Sequence, residues 1–340
     1  MSRMNLKLFV DEEYEEYAGN FARKGKQPGP KKKARQLTRR AVDGLAEQAD
    51  DAASFDFSYQ ASRHERWWLI DSLGGFYEGQ WLKDVLRLIK GGKEASVYQC
   101  LAGVTSDQDR YLAAKVYRPR MLRNLKNDHL YREGRIDLDA DGNEIFDHRM
   151  MAAMRKKSGY GMELLHTSWI EHEYRALNSL HAAGADVPIA YARGNNAVLM
   201  SYIGRHDTAA PILNSVDLDR DEARQLFERV VRNIEIMLTQ ERIHGDLSAY
   251  NILYWEGKIT LIDFPQVISP HENRNAYRIF ERDVTRVSEY FTRQGLKIKP
   301  HKLAAEIWTS HGYRLGPEVH PSLLDEESEA DRAYWKQMQE

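Results

Sequence analysis

The chain has 340 residues, enough for two or three compact units each with its own core. Lys and Arg (49) nearly balance Asp and Glu (51), for a formal net charge of −2, so no global field argues for nucleic acid or an acidic membrane. A single cysteine, Cys100, excludes a disulfide framework and a cysteine-based zinc site, and no apolar run approaches the roughly 20 residues of a membrane span. The expectation is a soluble cytoplasmic protein with no membrane contact.

Residues 1–60 are charged, poor in aliphatic residues and broken at GKQPGP, and read as a partly disordered extension. Within them RKGKQPGPKKKARQLTRR (residues 23–40) holds nine Lys/Arg and no acid. Such a run is either a solvated tail or a contact for RNA or a ribonucleoprotein. From Arg63 the pattern tightens: WWLIDSL suggests a short helix, then WLKDVLRLIKGGKEASVYQCLAG and YLAAKVY read as three strands joined by Gly-bearing turns.

Residues 118–160 carry seventeen charged side chains among 43 and read as a long flexible insertion. Inside it, DLDADGNEIFDH mimics the first half of a calcium loop. Position 12 is His148 where that loop needs a bidentate Glu, so a β-turn between IDL and EIF is the expectation. Ser168 and Glu171 have the spacing of a capping box, which places a helix start at Ser168. Helical spacing aligns Ile170, Glu173, Leu177 and Leu180, so Glu173 lies on an apolar stripe and needs a cationic partner.

NNAVLMSYIG reads as a buried strand, and DRDEARQLFERVVRNIEIMLTQERI as a long amphipathic helix that delivers the chain to His244. There the sequence runs HGDLSAYNILYWEGKITLIDFPQ. NILYW and KITLID flank Glu256-Gly257, a two-residue hairpin signal, and pairing Trp255 with Lys258 sets Asn251 opposite Ile262 and Asp263 opposite Tyr250. Two oxygen ligands thus converge at the open end of the hairpin, a donor set that suits Mg2+ with phosphate and water. Asp246, in the loop ahead, is free to point at what the metal positions. NAYRIFERDVTRVSEYFTRQG is a further helix that stops at Gly295, with a helical and acidic tail over residues 298–340.

Upstream, Lys115 faces away from Leu112, Ala114 and Val116 in its strand. It is the economical partner both for Glu173 and for a triphosphate. KGGKEAS is by itself a plain hairpin turn and not a Walker A loop, since Lys93 is followed by Glu94. Gly-bearing hairpin, strand lysine, helix glutamate, inner strand, HxD-x4-N and an Asp at a hairpin end follow one another in protein-kinase order. The expected fold is α+β and bilobal, kinase-like, with a β-rich N-lobe over 61–203 and an α-rich C-lobe over 204–297.

GKEASVY, HGDLSAYN and LIDFPQ resemble the RIO family of atypical serine/threonine protein kinases, over roughly residues 80–297. The resemblance implies ATP and Mg2+ as cofactors. It implies that Lys115 contacts the phosphates and Glu173 pairs with it, that Asp246 is the catalytic aspartate, and that Asn251 and Asp263 are metal ligands. Gly91, Gly92, Lys93, Glu94, Ala95, Ser96 and Val97 would form the turn over the phosphates. Met200 would border the adenine, with Ser201 and Ile203 offering backbone hydrogen bonds.

DLSAYN is similar to one branch of the family and IDFPQ to another, so no branch is assigned, and no winged-helix domain is read. Gly245 stands where ordinary kinases carry an arginine, so no cation waits beside the catalytic loop for a phosphorylated activation segment, and activation by such phosphorylation is not expected. Three functions follow from the sequence. The first is a Ser/Thr kinase that also phosphorylates itself. The second is an ATPase switch passing through an aspartyl-phosphate at Asp263 and gating a protein or RNA–protein assembly. The third is a nucleotide-binding scaffold.

Overall fold

A computed structural model describes residues 55–92, 94–106, 110–118 and 136–315. The basic run 23–40, most of the expected extension, Lys93, the first part of the 118–160 segment and the acidic tail lie outside the described residues. The chain divides into two units. The first takes the described residues up to 118 with Ile136–His181 and Val187–Ala210; the second takes Ala182–Asp186 and the described residues from Pro211 on. The division falls a few residues beyond Ser201–Gly204, where the composition shift placed it.

The first unit opens with helix α1, Arg63–Glu78, whose N-terminus Ser62 caps by accepting from the Glu65 N–H. Strands β1 (Leu82–Gly91), β2 (Ala95–Ala102), β3 (Tyr111–Tyr117), β4 (Ala190–Arg193) and β5 (Ala197–Ser201) form one antiparallel sheet in the order β1-β2-β3-β5-β4. The three strands read from the sequence before residue 118 are all present. Alternation sorts β3 as expected. Leu112, Ala114 and Val116 join Leu69, Leu73 and Phe76 of α1 in the core, with Phe55, Phe57, Tyr98 and Cys100. Cys100 is fully buried, and burial pushes its thiol up, so it behaves as a small apolar residue.

Of the 118–160 segment, the described part from Ile136 on is ordered into a turn and helices. From Ile136 it makes a turn closed by a Leu138–Glu144 bridge, as the β-turn reading of DLDADGNEIFDH had it. Asp139 accepts the N–H groups of Asp141 and Asn143, an Asx arrangement that needs no ion. Helix α2, His148–Arg155, follows with Asp147 as its cap. Helix α3, Gly159–Ala182, begins nine residues before the expected start at Ser168.

The capping-box reading is therefore corrected: the Ser158 hydroxyl accepts from the Gly161 N–H at the true start. Ser168, mid-helix, accepts from the Leu138 N–H, and Glu171 pairs with Arg175 and Arg193. Long-range partners had claimed both side chains that a local cap would have used.

The second unit holds helix α4 (Arg220–Thr239), hairpin strands β6 (Ile252–Trp255) and β7 (Lys258–Leu261), helix α5 (Ala276–Arg293) and helix α6 (Pro300–Ser310). Val230, Ile234 and Met237 of α4 and Ile279, Val284 and Val287 of α5 are buried, and Phe227 meets Phe291 with ring centroids 5.1 Å apart. Trp308 of α6 packs on Phe280 at 5.2 Å. No helix among the described residues is long and apolar enough to cross a membrane.

Candidate functional site

In the first unit Lys115 sits on the inner strand β3, opposite Val97 of β2 and Val198 of β5. Its Nζ lies 2.6 Å from Oε1 of Glu173 on α3. The lysine side chain is 11% exposed and the glutamate 1%, so the pair is effectively out of water. The Tyr117 ring, two residues along the same strand face, stands 5.2 Å below Nζ. The charge that the helical stripe of Glu173 demanded is thus the one the strand supplies, and removing either partner would leave the other ion buried.

The β1–β2 turn is closed by Gly92 N–H donating to Ala95 O at 3.0 Å. A Cβ on Gly92 would stand 2.8 Å from that same oxygen, so the turn requires glycine. Ser96 is 2% exposed and receives Arg118 at 3.5 Å. Met200 is buried on β5. The Ser201 N–H donates to Ile189 O at 2.9 Å, and the Ile203 carbonyl accepts from Ala210 N–H. The Ser201 N–H is thus paired with the residue that leads into β4.

In the second unit the hairpin pairs Ile252 with Leu261 and Trp255 with Lys258, the expected register. The ladder runs one step further, Ile262 N–H donating to Asn251 O at 2.9 Å. It then breaks at Asp263, whose φ of +72° turns the chain out of the extended form. Asp263 therefore does not continue to face Tyr250 in strand geometry. The hairpin is anchored from outside by Leu261 N–H to Asp186 O and Tyr254 N–H to Pro211 O.

The loop His244–Asn251 is built around Asp246. Asn251 Nδ2 donates to the Asp246 carbonyl at 2.9 Å and to Oδ2 at 3.3 Å. Both contacts commit the amide nitrogen and leave Asn251 Oδ1 as an oxygen that could hold a hard cation. His244 is 1% exposed; its Nδ1 accepts the Asp246 N–H at 3.3 Å while Nε2 donates to Ile262 O at 3.1 Å. One imidazole therefore ties the aspartate to the hairpin end.

Gly245 has φ +82°, and a Cβ there would stand 2.1 Å from Gln266 O. The position that ordinary kinases fill with arginine admits only glycine here, for steric reasons.

Three residues that sequence reasoning left out complete the loop, all from one turn of α5. Asp283 Oδ2 accepts the Gly245 N–H at 2.8 Å, Arg282 donates to the Gly245 carbonyl, and Arg286 donates to Asp246 Oδ1 at 2.8 Å. Cations thus stand beside the catalytic loop, engaged with Gly245 and Asp246 themselves. The cations come from a helix some 40 residues downstream, where only their i, i+4 spacing on one helix face could have signalled them. Asp283 is 2% exposed, and burial pushes its carboxyl up to about 6 against the pull of Arg282.

The serine/threonine-protein kinase rio1 of Schizosaccharomyces pombe is 28% identical over 214 residues, covering 62% of this chain and 39% of that protein. RIO1 of Homo sapiens is 28% identical over 211 residues, 62% of this chain and 34% of that protein. The chain thus spans little more than a third of the length of these two relatives. The RIO-type kinase Rio1 of Thermoplasma acidophilum is 30% identical over 139 residues, 41% of this chain and 72% of that protein.

The solved Rio2 kinase–ADP/Mg2+–phosphoaspartate complex of Chaetomium thermophilum aligns at TM-score 0.48 and 19% identity, covering 79% of this chain and 75% of that one. The RIO domain description matches residues 96–303, well over half of the sequence, and so this chain belongs to the RIO domain family.

Proposed function

We propose that the protein is an Mg2+- and ATP-dependent serine/threonine phosphotransferase whose substrates include itself, acting in the cytoplasm. The observation that carries this reading is the catalytic loop of the second unit. Asp246 is held through its main chain and its carboxylate, and Asn251 has its nitrogen committed and its oxygen left to hold a cation. The relatives' naming as serine/threonine-protein kinases supports the same class.

Asp246 would accept the proton of the substrate hydroxyl. As the hydroxyl oxygen bonds to the γ-phosphorus, the bond from that phosphorus to the bridging oxygen breaks, and the electron pair leaves with ADP. Lys115, fixed by Glu173, would bind phosphate oxygens. Asn251 and Asp263 would hold Mg2+, an all-oxygen donor set that suits it. When bound, the ion supplies neutralisation of the phosphate charge.

Incubation with γ-labelled ATP should place acid-stable label on Ser or Thr. Asp246→Ala should lower the transfer rate by about 10²–10⁴-fold, the usual loss of a general base, with ATP binding kept. A hydroxylamine-labile label on Asp263 with steady phosphate release would instead establish the ATPase reading, and absence of any turnover the scaffold reading.

A further inference from the structure

We propose that Arg286 is a positioning residue for phosphoryl transfer, acting through the carboxylate of Asp246; this rests on the kinase reading above. The loop HGDLSAYN contains no Lys or Arg of its own. Asp246 is 39% exposed on that loop, and a half-exposed carboxylate held by one amide would be free to rotate about its χ angles. Two donors prevent this. Asn251 Nδ2 holds Oδ2, and the Arg286 guanidinium holds Oδ1 at 2.8 Å.

Arg286 is placed by the rest of α5. Arg282, one helical turn earlier, grips the Gly245 carbonyl, and Asp283 takes the Gly245 N–H, so the helix and the loop are fixed to each other one turn before the arginine. Val287, next in the chain, is fully buried and anchors the turn in the core. The guanidinium itself stays 44% exposed, so it does not serve to fill the interior.

The role that remains is preorganisation. With both carboxylate oxygens set before substrate arrives, the base needs no reorientation when the hydroxyl approaches. A lysine could supply the charge from the same position, although without the planar fork that fixes direction.

The test is steady-state turnover with Mg2+·ATP for the full chain and for Arg286→Gln, Arg286→Lys, Asp246→Asn and the double variant Asp246→Asn/Arg286→Gln. Arg286→Gln should lower kcat by about 10–100-fold, the scale of a misplaced catalytic group, with KM for ATP changed less than about threefold. Arg286→Lys should recover most of the loss.

In the Asp246→Asn background, Arg286→Gln should have no further effect, because a residue that acts through Asp246 has nothing left to act on. Unchanged kcat in Arg286→Gln overturns the proposal, as does an equal loss in both backgrounds. Wild-type protein without any turnover overturns the kinase reading and the proposal with it. An unaltered melting temperature and ATP affinity in Arg286→Gln separate a positioning role from a folding one.

Discussion

Asp283 is the residue whose ionisation bears most directly on the catalytic loop. It is buried, its Oδ2 accepts the Gly245 N–H, and its Oδ1 accepts Arg282 at 2.9 Å. Burial nonetheless dominates and raises its carboxyl to about 6, with the Asp246 charge adding in the same direction. The folded chain therefore binds this proton more readily than the unfolded chain does. The group's contribution to stability is fully present below about 4 and is lost as the pH rises through about 6.

Asparagine at this position cannot titrate. The melting temperature of the wild type should therefore rise relative to that of Asp283→Asn as the pH falls from 7 to 4, and a pH-independent difference would contradict the assignment. The same residue shows what sequence alone misses. An aspartate on the apolar face of a helix can be flagged as costly, but its partner is a backbone N–H 38 residues away, which no local pattern records.

At the scale of elements, a buried ion pair joins β3 and α3, beside the contact of the Tyr117 and His166 rings. Lys115→Met would leave Glu173 without its lysine, and breaking a buried pair costs about 3–5 kcal/mol. Adding Glu173→Leu should restore much of that stability while activity stays lost, as denaturation and turnover measured side by side would show. Recovery of activity in the double variant would remove Lys115 from the chemistry.

This pair was legible in the sequence because both halves follow from periodicity. Alternation put Lys115 on the face away from the α1 core, and helical spacing put Glu173 among Ile170, Leu177 and Leu180. The β6–β7 register was legible too, since a two-residue turn fixes it. The start of α3 was not. Ser168 and Glu171 have the residue types of a cap, but the turn at Leu138 and the arginines at 175 and 193 use them instead.

Across the whole molecule, the family match begins at residue 96, yet the core of the first unit begins at Phe55. Phe55, Phe57, Leu69, Leu73 and Phe76, with Leu82 and Val85 of β1, cover one face of the sheet. Each such side chain contributes roughly 1.5–3 kcal/mol when fully buried. A fragment limited to residues 96–303 should therefore lose cooperative unfolding of its sheet, whereas the full chain keeps it, as calorimetry or hydrogen exchange would report. A fragment with native protection in β2 and β3 would contradict this. The second unit is extended in the same way by α6, which runs past the match and whose Trp308 lies beyond it.

The turn at Ile136–Glu144 is fastened to its surroundings chiefly through its main chain, with the Leu138 N–H donating to Ser168. Its carbonyls at Ile136, Ala140 and Gly142 accept from His172, Arg193 and Arg175. The fastening thus reads main chain on the turn and side chain on the scaffold. Apart from Gly142, whose φ of +81° and crowding by Arg175 restrict it, the turn can change its residues and keep these three bonds. The helix and strand cannot, so evolutionary freedom and constraint fall on opposite partners of the same contact.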